Sequence, residues 1–200
     1  MKKLNLFIIT VISAFYCNAQ SDSLYNQIGF SYHGFGDNDA FHLSALAGAA
    51  SYSGSSFYGY QFDFVHPINR VLSLETGIGY RHHELTMHPN LPPNLDDTGK
   101  PVSCDIVVIP VTMRVSFAKY LFINSGVFLD TTVGKSGNIA DQNGIGLNLG
   151  IGLKYDFKFG LGTQANPYTS IHSLLSISNE NYPERVSEGG IKLGVTYRVK

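Results

Sequence analysis

From Gly144 to Phe157 every odd-numbered residue is apolar: Ile145, Leu147, Leu149, Ile151, Leu153, Tyr155 and Phe157. Every even position is small or polar: Gly144, Gly146, Asn148, Gly150, Gly152, Lys154 and Asp156. A period of two belongs to an extended strand, whose successive side chains point to opposite faces. A helix is excluded, because such a repeat does not collect on one side of a 3.6-residue turn. The strand therefore has one wholly apolar face and one glycine-rich face that carries the charges.

The same arrangement recurs along the chain. Tyr58, Tyr60, Phe62 and Phe64 oppose Gly59, Gln61 and Asp63, and Leu72, Leu74, Thr76, Ile78 and Tyr80 oppose Ser73, Glu75, Gly77, Gly79 and Arg81. Leu121, Ile123, Ser125, Val127 and Leu129 oppose Phe122, Asn124, Gly126 and Asp130; near the end Ile191, Leu193, Val195, Tyr197 and Val199 oppose Lys192, Gly194, Thr196 and Arg198. Charge falls on the glycine-rich side each time. Composition points the same way, with 21 glycines, 12 tyrosines and 13 phenylalanines but only 14% charged residues, as in all-β chains. No stretch after residue 19 is apolar enough for long enough to be a membrane helix, so any crossing of a bilayer must use strands closed into a barrel.

The N-terminus indicates export. Lys2 and Lys3 precede an apolar run from Leu4 to Phe15 and a small-residue exit at Cys17, Asn18 and Ala19. This is a secretory signal peptide rather than a membrane anchor, since the run falls short of the ~18 residues a spanning helix needs. Cleavage is expected after Ala19. Tyr16 before Cys17 argues against lipid attachment, where a small residue is the rule. Loss of Lys2 and Lys3 takes the formal charge from −1 to −1 − 2 = −3, which leaves no basic footprint for nucleic acid. Cys104 is then the sole cysteine, so no intramolecular disulfide forms.

Eight strands are expected, near 24–33, 56–66, 70–83, 104–117, 120–130, 143–157, 167–178 and 188–199. Short connections at 66–69, 118–119 and 158–166 alternate with longer ones at 34–55, 84–103, 131–142 and 179–187, as periplasmic turns and outer loops alternate in bacterial barrels. An even count returns both ends to one side. Residues 41–52 (FHLSALAGAASY) read mainly as the first external loop, although a strand there would make nine. The expected fold is thus all-β: an eight-stranded antiparallel up-and-down transmembrane β-barrel after a cleaved signal peptide, with residues 1–19 as signal and 20–200 as the barrel domain. Its place is the outer membrane of a Gram-negative bacterium.

Four segments resemble the PorT-like small outer-membrane β-barrels, over essentially all of the mature chain. They are Leu74-Glu75-Thr76-Gly77-Ile78-Gly79-Tyr80; Ile109-Pro110-Val111 with Arg114; Asn124-Ser125-Gly126; and Asn148-Leu149-Gly150-Ile151-Gly152. Val108 stands where many relatives carry an acid, so an ion pair between positions 108 and 114 is not expected. The resemblance implies a location more than an activity. The final strand, Lys192-x-Gly194-x-x-Tyr197-x-Val199 before Lys200, is similar to the signal by which bacterial barrels engage their insertion machinery.

On these registers the lumen receives Asp63, Glu75, Asp130 and Asp156 with Arg81, Arg114, Lys154, Lys192 and Arg198. Buried ions must pair, and eight strands enclose only enough room for side chains, so a packed lumen is expected and a general porin is not. Tyr58, Tyr80, Tyr120, Tyr155, Tyr168 and Tyr197 suit interfacial girdles. Pro110 cannot donate to a ladder and predicts a bulge.

Catalysis is not expected. His172 with Ser170 or Ser176 and Glu180 beyond is the best acyl-transfer candidate, but the spacing lacks the closely set His and Ser of lipid A deacylases, and Leu174 stands two residues after the histidine. Nor is a metal or other cofactor expected. His82, His83, Glu84 and His88 are suitable ligand types, yet neighbouring strand residues face opposite ways. The partners expected are outer-membrane lipid, the insertion machinery and a protein at the outer loops. The readings to be distinguished from this structural or interaction barrel are a lipid-modifying outer-membrane enzyme and a soluble exported β-sandwich.

Overall fold

The computed structural model describes residues 24–43, 50–90, 98–117, 119–134, 139–177 and 182–199. The expected signal peptide and Glu180 lie outside them. Eight strands run in chain order: β1 (Asn26–Phe41), β2 (Ser51–Pro67), β3 (Leu72–His88), β4 (Lys100–Ser116), β5 (Leu121–Thr132), β6 (Gly144–Asp156), β7 (Leu161–Ser176) and β8 (Arg185–Val199). Each pairs antiparallel with its neighbour, and β8 pairs with β1 from Asn26↔Val199 to Phe41↔Arg185, closing the ring. The expected up-and-down barrel is observed, and no ninth strand interrupts it among the described residues.

Three tight connections share an end with Asn26 and Val199, here the proximal end. Between β2 and β3 the Asn69 side chain accepts from the amides of Val71 and Leu72, both at 2.8 Å. Between β6 and β7, Gly160 takes φ +99°, a left-handed conformation that glycine adopts without penalty. β7 consequently begins at Leu161, inside the segment expected to be a turn.

The long connections at the distal end are shorter than the sequence suggested. β1 continues to Phe41 and β2 begins at Ser51, so most of 34–55 is strand; 84–88 and 100–103 are likewise strand, because β3 ends at His88 and β4 begins at Lys100. The cause is a change of environment along one strand. About 9–11 residues cross a bilayer, whereas β2, β3 and β4 have 17 each. On β3 the outward face reads Leu72, Leu74, Thr76, Ile78, Tyr80 and then His82, Glu84, Thr86 and His88. The apolar alternation stops at Tyr80 while the strand goes on.

The outer surface of the remaining barrel is apolar. Phe30, Phe62, Ile78, Ile109, Leu129, Leu149, Ile151 and Val195 are exposed around it. Tyr120 stacks on Tyr155 at 5.8 Å near the proximal rim, and Tyr58 packs edge-on to Tyr60 at 6.0 Å toward the distal side. Tyr168 departs from the expected girdle: it points inward, where its hydroxyl donates to Glu188 at 3.0 Å.

Pro110 makes no bulge. β4 keeps one register against β3 from Leu72↔Val115 to Met87↔Lys100, the pairs lapsing only at Gly77 and Ile78, and one register against β5 through Pro110↔Phe128. Proline lacks a single donor, and losing one rung is less disruptive than inserting a residue that would reverse every side chain beyond it. The shifts fall elsewhere: between Gly34 and Asp37 of β1, between Gly54 and Ser56 of β2, and opposite Ile145 and Leu147 of β6.

Candidate functional site

The interior is divided by chemistry along the barrel axis. Distally, Ala40, Leu85, Val102, Cys104, Ile106, Val108, Phe128, Ile139 and Val186 form an apolar plug. β4 supplies four of these because its inward positions 102, 104, 106 and 108 are all apolar before turning polar at Thr112 and Arg114. The segment after β5 folds over the plug. Gln142, fully buried, donates to the carbonyls of Ala140 at 2.9 Å and Glu184 at 3.0 Å and accepts from the Val186 amide at 3.2 Å. Glu184 in turn accepts from Tyr52 at 3.0 Å and from the Ala140 amide at 3.0 Å, tying the β5–β6 and β7–β8 connections to the distal end of β2.

On the proximal side of the plug lies an ion-paired layer. Lys192 on β8 donates to Asp63 on β2 at 2.8 Å and to Glu75 on β3, and Glu75 also accepts from Arg114 on β4. Asp63 further accepts from Ser31 at 2.7 Å, and Arg114 reaches Gln164 at 2.8 Å with its guanidinium 4.3 Å from the Phe122 ring centroid. Of the nine charged residues expected inside, Asp63, Glu75, Arg81, Arg114, Asp130 and Lys192 are buried there. Lys154, Asp156 and Arg198 sit half-buried around the proximal mouth, where Arg198 lies 4.0 Å from Asp156.

Between plug and ion layer is a band of histidines. His83 (β3), His172 (β7) and Glu188 (β8) are buried, and one ligand-type atom from each lies within 4.8 Å of the others. His83 Nε2 is 3.5 Å from Glu188 Oε2, and His172 Nε2 is 3.9 Å from Glu188 Oε1. Asp130 holds His172 from behind, with Oδ1 at 3.1 Å from Nδ1, while its Oδ2 accepts from the Ser173 amide at 2.7 Å. On the other flank Arg81 Nε is 3.4 Å from Glu188, and its Nη2 lies 3.0 Å from His33 and 2.9 Å from Gln61. Phe57 stacks on His83 and Phe128 tilts against His172, fixing both rings.

The β7 register shift borders this band. Between Ile171 and Leu175, β7 advances four residues while β6 advances two, and the excess places both His172 and Ser173 inside. Ser173 takes φ +45° there. Gly146 faces the bulge, where a Cβ would stand 2.2 Å from the Phe128 ring and 2.6 Å from the Ile171 carbonyl. Bulges re-aim side chains, and here one turns Ser173 inward beside His172.

The residues singled out from sequence meet only in part. His82 faces outward, 2.6 Å from Asp105, while His83 faces inward, so the group His82, His83, Glu84 and His88 does not converge. Ser170 and His172 share the lumen face, but His172 turns Nδ1 to Asp130 rather than to a serine. Glu188 was missed. Carrying the β8 register back from Lys192 by two pairs places it inward, but Gly189 and Gly190 interrupt the pattern at that point.

No family model matches the chain, and no curated protein matches it. Among solved structures, the outer membrane protein OprG from Pseudomonas aeruginosa is similar over 88% of this chain and 96% of its own, at 13% identity and a TM-score of 0.51. The outer membrane protein AlkL, solved by solid-state NMR in DMPC lipid bilayers, is similar over 89% of this chain and 92% of its own, at 14% identity and a TM-score of 0.51. At such identities the likeness is one of fold: this chain has the fold of small eight-stranded outer-membrane β-barrels.

Proposed function

We propose that this chain is an outer-membrane barrel of the PorT-like kind, with a closed lumen and a structural or interaction role exercised through its distal, extracellular rim. The observation that carries this reading is the filled interior. An apolar plug under a hydrogen-bonded cap lies above an ion-paired layer, and the cavity between them is about 30 Å³, room for a water or two. A general diffusion pore needs a continuous aqueous path, which such packing denies. Closure also disfavours lipid editing, since His172 and Ser170 are buried from any acyl chain. Lipid contacts the apolar belt, and the β8 strand, paired to β1 up to Val199, is the segment offered to the insertion machinery.

The test has two parts on the full chain. Fractionation of the native host, with boiled and unboiled detergent extracts compared on a gel, should place a heat-modifiable band in the outer membrane. The same folded material in planar bilayers should give no steady unit conductance. Stable open channels would overturn the closed-lumen reading, and a soluble, unshifted band would overturn the membrane assignment.

A further inference from the structure

We propose that His83, His172 and Glu188 bind one divalent transition-metal ion of the zinc class inside the barrel, acquired as the barrel folds. This inference requires only the fold and is independent of any role for the rim.

Buried polar atoms are almost always satisfied, and exceptions call for an explanation. Here three exceptions coincide: His83 Nε2, His172 Nε2 and Glu188 Oε2 are buried without a hydrogen-bond partner, and they face one another. Tetrahedral coordination at the usual ~2.0–2.2 Å metal–ligand distances separates neighbouring ligand atoms by about 3.3–3.5 Å. His83 Nε2 at 3.5 Å from Glu188 Oε2 already has this separation, His172 Nε2 stands 3.9 Å from the other carboxylate oxygen, Oε1, and with one ligand atom from each residue within 4.8 Å of the others, closing on an ion takes side-chain movements of about an ångström. Two imidazoles and a carboxylate form the three-protein-ligand set found where zinc keeps one position open.

The surroundings fit as well. Asp130 bound to His172 Nδ1 makes the carboxylate–histidine arrangement that fixes a metal-ligating tautomer and ring orientation. The cavity of about 30 Å³ is lined by both His172 and Glu188 and has room for a water molecule as the fourth ligand. An ion there joins β3, β7 and β8 directly and β5 through Asp130. Because cap and plug close the distal side, loading accompanies folding, as in structural metal sites. The rival occupant is a proton: His172 carried as imidazolium between Asp130 and Glu188, with no metal.

The experiment uses the full mature chain, unfolded in chelator and refolded in detergent with or without zinc, then freed of unbound metal. Metal per chain is measured by mass spectrometry on material whose gel mobility shifts on boiling. Folded wild type should retain close to one zinc per chain, and cobalt(II) in its place should give visible tetrahedral ligand-field bands. His83→Gln and Glu188→Gln should lose both signals while remaining heat-modifiable, and Asp130→Asn should weaken binding by about 10- to 100-fold. Should those variants fail to fold, the wild-type cobalt spectrum decides. Folded wild type with background metal and no cobalt bands would establish the protonated alternative and overturn the proposal. Equal retention by wild type and a folded His83→Gln/His172→Gln/Glu188→Gln variant would overturn it too, locating the metal elsewhere.

Discussion

Glu75 shows what one buried residue contributes to this barrel. It accepts from Arg114 and Lys192, and all three side chains are buried among neighbours from β2, β3, β4, β7 and β8. Burying an ion pair in place of apolar packing brings little net stability, but removing one partner strands the other's charge, at about 3–5 kcal/mol. Glu75→Gln should therefore lower folding stability by about that range, because Lys192 keeps Asp63 whereas Arg114 keeps only the neutral Gln164 and the Phe122 ring. The loss is read as a fall in the urea midpoint of the heat-modifiable band; an unchanged midpoint would mean that water reaches Arg114. Cys104, fully buried in the distal plug, illustrates the opposite case: a residue whose type suggests reactivity and whose surroundings make it a small apolar filler.

At the scale of strands, alternation carried most of the information. It is legible wherever an apolar environment lies on one side and a tight, charged interior on the other, which covers the belt-crossing part of β2, β3, β5, β6 and β8. It fails in two places for two reasons. Beyond Tyr80 and Tyr58 the outward face becomes polar, so strand and loop look alike, and the distal extensions read as loops. At the bulges the period itself breaks, so the inward placement of Ser173 beside His172, and of Asn38 after His33, does not follow from counting by twos. One such break borders the histidine band. Its β7 bulge rests on Ser173 at φ +45° and on the Ser173 amide donating to Asp130 at 2.7 Å. Left-handed non-glycine residues cost about 1–3 kcal/mol and persist only where surroundings enforce them. Ser173→Gly should keep the urea midpoint or raise it slightly. Ser173→Pro should abolish the heat-modifiable form, since proline fixes φ near −65° and removes the donor. Tolerance of proline would show that the bulge is not held by Asp130.

For the whole molecule, the controlling fact is that a charge has one energy inside the barrel, another against lipid and another beyond the belt. The interior tolerates Lys192 and Arg114 because carboxylates meet them. The belt holds no such partner: Val107, Ile109, Val111, Met113 and Val115 succeed one another along the outward face of β4. Further up that same face stand Asp105 and Ser103, the latter paired across from Glu84. Val111 and Ser103 are eight residues apart on one strand, about 26 Å along it at the usual rise. Strand tilt of about 35–45° reduces this to about 20 Å of height, more than half the thickness of an apolar band about 25 Å tall. Arginine at the two positions therefore separates lipid from water. Val111→Arg should lose about 2–4 kcal/mol of folding free energy in bilayer vesicles, as a charge near the midplane does. Ser103→Arg should change stability by less than about 0.5 kcal/mol, being exposed and opposite a carboxylate. Equal effects at the two sites would mean that the β4 outer face meets a single environment from end to end, and the apolar belt would no longer be a bilayer contact.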